Sequence, residues 1–256
     1  MENALGKMTI LSHINELRKR LLVAVVALAV TTLASFAFSQ TLAELLAKPI
    51  GGLSAMASIE VTENVTAFMK ISLLSGVVLS MPVIVFEILA FVLPGLNNNE
   101  RKWIWFVIPV ATLFFAGGVA FAYLVMLPAA LPFLLDFMGI TTIPRPNDYF
   151  SFVLNLLFWV GISFEMPLLM LVLSRLGIVK PKALIKQWRI ALIASAVLSA
   201  LITPTPDPVN MGLMMIPLVG LYFIGILFSI IGQKKTNDGK EKKPKPQKKS
   251  KSKRVK

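Results

Sequence analysis

Residues 71–93 read ISLLSGVVLSMPVIVFEILAFVL, an apolar run in which Glu87 is the one ionisable side chain. A helix rises about 1.5 Å per residue, so about 20 apolar residues cross the hydrocarbon core of a bilayer. This run meets that length. Comparable runs lie at Leu21–Phe38, Ile104–Met126, Phe150–Leu173 and Met211–Ile231, and a shorter one, Ile190–Ile202, makes a sixth. The short run is expected to form a tight hairpin with the helix that follows, turning around Thr203–Asn210, with local thinning of the bilayer. The whole 256-residue chain is 56% hydrophobic and only 15% charged, too apolar for one water-soluble core. The expected fold class is an all-α membrane protein with six transmembrane helices.

The formal net charge of +13 suggests nucleic acid at first sight, but 12 of the 26 Lys and Arg lie in Lys234–Lys256 with only Asp238 and Glu241 beside them. A nucleic-acid surface spreads its positive charge over a folded groove, so no nucleic-acid partner is expected. In the body, the basic residues decide the orientation. With the N-terminus cytoplasmic, the inner segments hold Lys7, Arg18, Lys19, Arg20, Arg101, Lys102, Arg175, Lys180, Lys182, Lys186 and Arg189; the outer ones hold only Lys48, Lys70 and Arg145. Both termini are therefore expected on the cytoplasmic side of the cytoplasmic (inner) membrane. The first run reads as a retained anchor rather than a signal peptide, because a long polar segment precedes it and its apolar stretch exceeds a usual signal core.

Three regions follow: a cytoplasmic amphipathic segment at 1–20, a six-helix domain at 21–232 and a disordered basic tail at 233–256. The tail has nothing apolar to bury; it either clings to anionic lipid headgroups or is simply solvated. Pro82, Pro109, Pro167 and Pro217 fall within or near the middle of four spans. Each removes a backbone donor and pushes on the preceding turn, so the bundle is expected to be kinked and cupped. There is no cysteine and His13 is the one histidine, which excludes disulfides, thiol nucleophiles and Cys or His metal sites. No phosphate loop, nucleophile elbow or dinucleotide fingerprint appears, and no cofactor or metal is expected.

Ionisable groups in such a chain are the candidates for chemistry. Before the first span, Ile10, Ile14, Leu17 and Leu21 repeat at helical spacing, and His13, Glu16 and Arg20 form the adjoining stripe. Glu16 either makes an i,i+4 pair with Arg20 or stands at the membrane surface awaiting a cation from elsewhere. At the end of the second span Glu87 and Phe91 share a helix face; Pro94-Gly95 turns the chain out and Glu100 emerges beside Arg101. Glu165 lies deep in the fourth span, where a charge costs about 2.5–3.5 kcal/mol on the lenient insertion scale. It is either functional or protonated and hydrogen-bonded to a neighbouring helix.

His13-x-x-Glu16-Leu17-Arg18-x-Arg20, Phe91-x-x-Pro94-Gly95-Leu96-x-x-x-Glu100-Arg101, Phe164-Glu165-x-Pro167, Thr203-Pro204-x-Pro206-Asp207 and Ile216-Pro217 follow one another in that order. In this the chain resembles the TatC family, the multispanning subunit of the twin-arginine protein translocase, over nearly its whole length except the tail. The resemblance implies a signal-peptide receptor, not an enzyme. Glu16 and Glu100 match acids that recognise the paired arginines of a folded cargo's signal peptide. Phe91 lies in the same patch; His13, Arg18 and Arg20 of the first motif, and Glu87 four residues before Phe91, are the further candidate signal-peptide contacts. Glu165 matches a polar residue of the concave face that organises partner helices, while Pro49 and Asp207 match positions linked to assembly and transport. The implied partners are TatA-type and TatB-type single-span subunits in a hetero-oligomer, with export driven by the proton gradient.

Two residues depart from the family pattern. Glu87 stands where a glutamine is expected, and Phe223 where many members carry an acid. The alternative from another class is a proton-coupled small-solute transporter with Glu87 and Glu165 as relay groups, although the internal repeats usual in such proteins are not evident. A passive assembly scaffold is a third reading, which predicts binding without chemistry just as a receptor does.

Overall fold

The apolar runs become helical, because lipid offers no partner for backbone N–H and C=O groups and a helix satisfies them internally. The computed structural model describes residues 2–92, 98–137, 140–203 and 208–233, with side chains except at 2–13, 92, 98–104, 106, 137, 140–141 and 210. The helices are α1 Glu2–Phe36, α2 Ser39–Ala47, α3 Glu63–Val92, α4 Asn98–Phe121, α5 Leu127–Leu135, α6 Pro146–Phe164, α7 Met166–Arg175, α8 Pro181–Lys186, α9 Trp188–Ile202 and α10 Pro208–Gly232. Five stretches are long and apolar enough to cross a membrane: Ile14–Phe36, Glu63–Phe91, Val107–Leu135, Pro146–Arg175 and Met211–Gly232; Trp188–Ile202 is the shorter sixth. The protein is an all-α membrane protein. Its one β feature among the described residues is a two-residue ladder, Asp136–Phe137 against Ile140–Thr141.

The helices run past the apolar segments on which they are built. No Gly or Pro falls between Lys7 and Phe36, so α1 continues through residue 20 without a break between the polar segment and the first span. It ends where Ala37 and Phe38 donate to Ala34 and Ser35 in tight turns and the Ser39 hydroxyl caps the Phe36 carbonyl at 2.7 Å. Pro82, Pro109 and Pro217 sit inside continuous helices. Pro167 instead lies in the first turn of α7, just after the ladder is interrupted at Glu165. Between α4 and α5 the chain takes a π turn, Ala122–Met126, immediately before Pro128, a common accommodation for a missing donor. The turn around 203–210 lies partly, and the tail beyond Gln233 wholly, outside the described residues.

α3 is central and packs on α1, α4 and α6, while α10 packs on α7 and α9. Helices in lipid associate through close backbone approach and interhelical hydrogen bonds rather than hydrophobic burial. At the α1–α3 crossing a Cβ on Gly76 would lie 2.8 Å from both the Cα and the N of Thr32, and the Thr31 hydroxyl donates to the Gly76 carbonyl at 2.9 Å. α4 and α6 meet similarly, a Cβ on Gly118 falling 2.9 Å from Gly161 Cα. Gly76→Leu is expected to force α1 from α3 and cost about 1–3 kcal/mol, read as a lowered thermal midpoint in detergent; an unchanged midpoint would mean that the crossing is loose.

One end of the bundle is sealed. α2 packs with α5 and the starts of α3 and α6 in a core that includes Ala43, Leu46, Ile71, Met126, Phe150 and Val153. The buried Tyr149 hydroxyl donates to the Leu46 carbonyl and Tyr123 to Leu45, each at 2.7 Å. Inside this cap the bundle is cupped: α1, α2, α3, α4 and α6 surround an apolar cavity of about 510 Å³, walled by residues such as Phe38, Leu42, Val78, Val119 and Leu157.

Candidate functional site

The α1–α3 crossing sets the level of the charged side chains at the opposite end. Arg20 precedes Thr32 by 12 residues and Glu87 follows Gly76 by 11, so in antiparallel helices both lie about 17 Å from the crossing. They meet: Arg20 Nη1 donates to Glu87 Oε2 at 3.2 Å. On its other edge Arg20 gives Nε and Nη2 to Glu16 Oε1 at 3.1 and 2.7 Å. The i,i+4 pair read from the sequence is present, and Glu87 joins it from 67 residues away. A guanidinium thus lies between two carboxylates, which leaves the trio with one excess negative charge.

The acids are not used up by this contact. The Glu16 side chain is 34% exposed and Glu87 13%. Among the described residues, the second oxygen of each, Oε2 of Glu16 and Oε1 of Glu87, accepts no hydrogen bond. One turn beyond Glu87 on α3, Phe91 is half-buried, and Arg18 is exposed on α1. α4 starts beside the same end, since Phe86 and Trp105 bring their ring centroids to 6.1 Å. Glu100 is in the first turn of this helix, ahead of Trp105. The side chains of His13, Glu100 and Arg101, and the Pro94-Gly95-Leu96 turn, lie outside the described residues.

Glu165 occupies the break between α6 and α7. Pro167 cannot supply an N–H, and the Glu165 N–H turns tightly onto the Ile162 carbonyl at 3.0 Å. Its Oε1 is buried and has no hydrogen-bond partner among the described residues. Pro49 is exposed in a short 3₁₀ turn, Lys48–Ile50, ahead of Gly51 and Gly52. Those glycines have φ of 95° and 97°, a region that side chains rarely adopt. Asp207 lies outside the described residues. Phe223 is exposed on α10, so an apolar face stands there in place of an acid.

Two polar constellations escaped the sequence reading. Arg145 donates from Nε to the buried carboxylate of Glu63 at 2.9 Å and from Nη2 to Glu60 at 3.1 Å. Hydrogen bonds to Glu60 and Glu63 hold its guanidinium above its usual range. Glu63 also accepts the Ile59 and Glu60 amides, capping the start of α3. Lys70 on α3 donates to Asn147 Oδ1 and Ser151 Oγ on α6 at 2.8 and 2.7 Å. Only Glu63 in the first turn of α3 gave a local hint; the other partners lie 77 or more residues away.

Comparison with known proteins agrees with this architecture. The family model for TatC, Sec-independent protein translocase protein, matches residues 12–217. The TatC protein of Deinococcus radiodurans is 36% identical over 234 residues, 88% of this chain and 87% of that protein. TatCy of Bacillus subtilis is 36% identical over 240 residues, 88% of this chain and 89% of its own. A crystal structure of a twin-arginine translocase receptor, TatC, superposes with a TM-score of 0.75 at 31% identity, covering 86% of this chain and 99% of the other. A second, of TatC in DDM, gives 0.76 at 32% identity over 85% and 99%. Family model, relatives and three-dimensional match agree: the chain belongs to the TatC family of Sec-independent protein translocase subunits.

Proposed function

We propose that this translocase subunit is the receptor for twin-arginine signal peptides, with Glu16, Glu87 and Glu100 as the acids that take the two guanidinium groups. The observation that carries the reading is Arg20 held between Glu16 and Glu87, because a resident guanidinium displays the ligand chemistry that the carboxylates are spaced to accept. Phe91 offers an apolar neighbour, while His13 and Arg18 border the patch. Both termini then face the cytoplasm, as the distribution of basic residues requires, in the cytoplasmic membrane. The sealed cap carrying Pro49 faces outward.

In this role the protein works with TatA-type and TatB-type single-span subunits in a hetero-oligomer and performs no covalent chemistry. The Glu165 oxygen that has no hydrogen-bond partner among the described residues is a hydrogen-bond site for such a helix, and assembly acts through Pro49, in the turn after α2, and Asp207, between α9 and α10. The proton gradient drives transport of the folded cargo. The tail beyond residue 233 adds positive charge that anionic lipids can attract.

The test is capture of a twin-arginine precursor against its Lys-Lys version. A guanidinium pairs bidentately with a carboxylate, whereas an ammonium is a strongly hydrated point charge. Substituting both arginines is therefore expected to weaken capture by at least about tenfold, one well-formed charged hydrogen bond being worth about 1.5–3 kcal/mol. Equal capture of the two precursors refutes the receptor reading.

A further inference from the structure

We propose that the groove between α1, α3 and α6 at the capped end is a phospholipid site, with Lys70 meeting the phosphate of an anionic headgroup and one acyl chain lying along the apolar walls. Lys70 lies seven residues into α3, about 10 Å along its axis. α3 is about 45 Å long over its 30 residues, against a hydrocarbon core of about 30 Å. If the helix is centred, Lys70 stands within a few ångströms of the hydrocarbon edge, the depth of a phosphate and the first chain carbons.

The charge of Lys70 has no anionic partner among the described residues. It donates to Asn147 and Ser151, both neutral, and an ammonium has three protons to donate. One donor remains for an incoming acceptor. The groove is about 450 Å³, and beside Lys70, Ser151 and Asn155 its walls are Leu28, Leu73, Leu74, Val77, Leu154 and Phe158. Polar groups thus gather around Lys70, with the apolar length leading away along α3 and α6. Charge complementarity selects a phosphate diester, and the apolar walls select one that carries a chain over free phosphate. A partner helix about 10 Å across would fill such a volume within roughly one turn, so a slim chain fits the groove better.

Native mass spectrometry of the full chain in detergent, titrated with phosphatidylglycerol and with phosphatidylcholine, tests the site. The wild-type protein is expected to prefer phosphatidylglycerol. Lys70→Met is expected to weaken that lipid about tenfold with little change for phosphatidylcholine, and Lys70→Arg to retain it. Val77→Trp keeps the cation but fills the groove and is expected to weaken binding equally, so it carries the test if Lys70→Met does not fold. Glycerol phosphate, the headgroup without chains, is expected not to compete. Undiminished phosphatidylglycerol binding in Lys70→Met or Val77→Trp overturns the site, even if a carboxylate of a partner helix then proves to be the counter-ion. Competition by glycerol phosphate at equal strength also overturns it.

Discussion

Replacing Glu16 and Glu100 together by alanine is expected to abolish capture of a twin-arginine precursor, lowering affinity by about 10²–10⁴-fold. The range follows from two charged hydrogen-bonded contacts of about 1.5–3 kcal/mol each, at 1.4 kcal/mol per factor of ten. Glu16 is suited to the task because one oxygen already grips a guanidinium while its second is unbonded among the described residues and the side chain is one-third exposed. Glu100 is in the first turn of α4, and Phe86 against Trp105 packs that helix on the end of α3 that carries Glu87. Each single variant keeps one contact and is expected to lose roughly the square root of the double effect. Capture is measured by equilibrium binding of a labelled precursor to purified protein, with the thermal midpoint followed in parallel. Undiminished capture by the double variant removes both residues from the receptor patch.

How far the sequence discloses this arrangement depends on the range of the interaction. The spans are legible because lipid imposes one length and one hydrogen-bonding solution on every crossing, and the short sixth helix appears within two residues of its apolar run. The Glu16–Arg20 pair is legible because i and i+4 face each other on any helix. Glu87 as the second partner of Arg20 is not, since it depends on α1 and α3 crossing at Thr32 and Gly76, a fact of packing. The continuity of α1 through residue 20 was hidden for another reason: hydropathy changes there while helix propensity does not. Likewise Pro167 announced a kink, yet only the structure puts the interruption at Glu165 itself, with a carboxylate oxygen buried there. Lys70 entered the sequence reading merely as one of three outer cations; its neutral partners on α6 appear only once the helices are packed.

Arg20→Gln is expected to tighten capture of the twin-arginine precursor by about tenfold, the reverse of what loss of a direct cargo contact would do. Arg20 occupies the space between two carboxylates, so an incoming guanidinium must either share those acids through their remaining oxygens or displace Arg20 from them. Displacement breaks the contacts of Arg20 as those of the cargo form, and the exchange of one guanidinium for another is nearly balanced. Without Arg20 the two acids face each other with no cation between them. Like charges that close destabilise the empty site, and a cargo arginine relieves that repulsion while forming the same hydrogen bonds. The empty variant is therefore expected to melt earlier than wild type, to recover its midpoint when the signal peptide binds, and to bind with a steeper salt dependence because one more unit of charge is neutralised. Glu87→Gln separates the contributions: it restores a neutral amide beside Phe91, leaves the Glu16–Arg20 pair in place, and is expected to weaken the variant lacking Arg20 far more than the wild type. Weaker capture by Arg20→Gln at an unchanged fold would instead assign Arg20 to holding Glu16 and Glu87 in position for the cargo, with no competition for their oxygens.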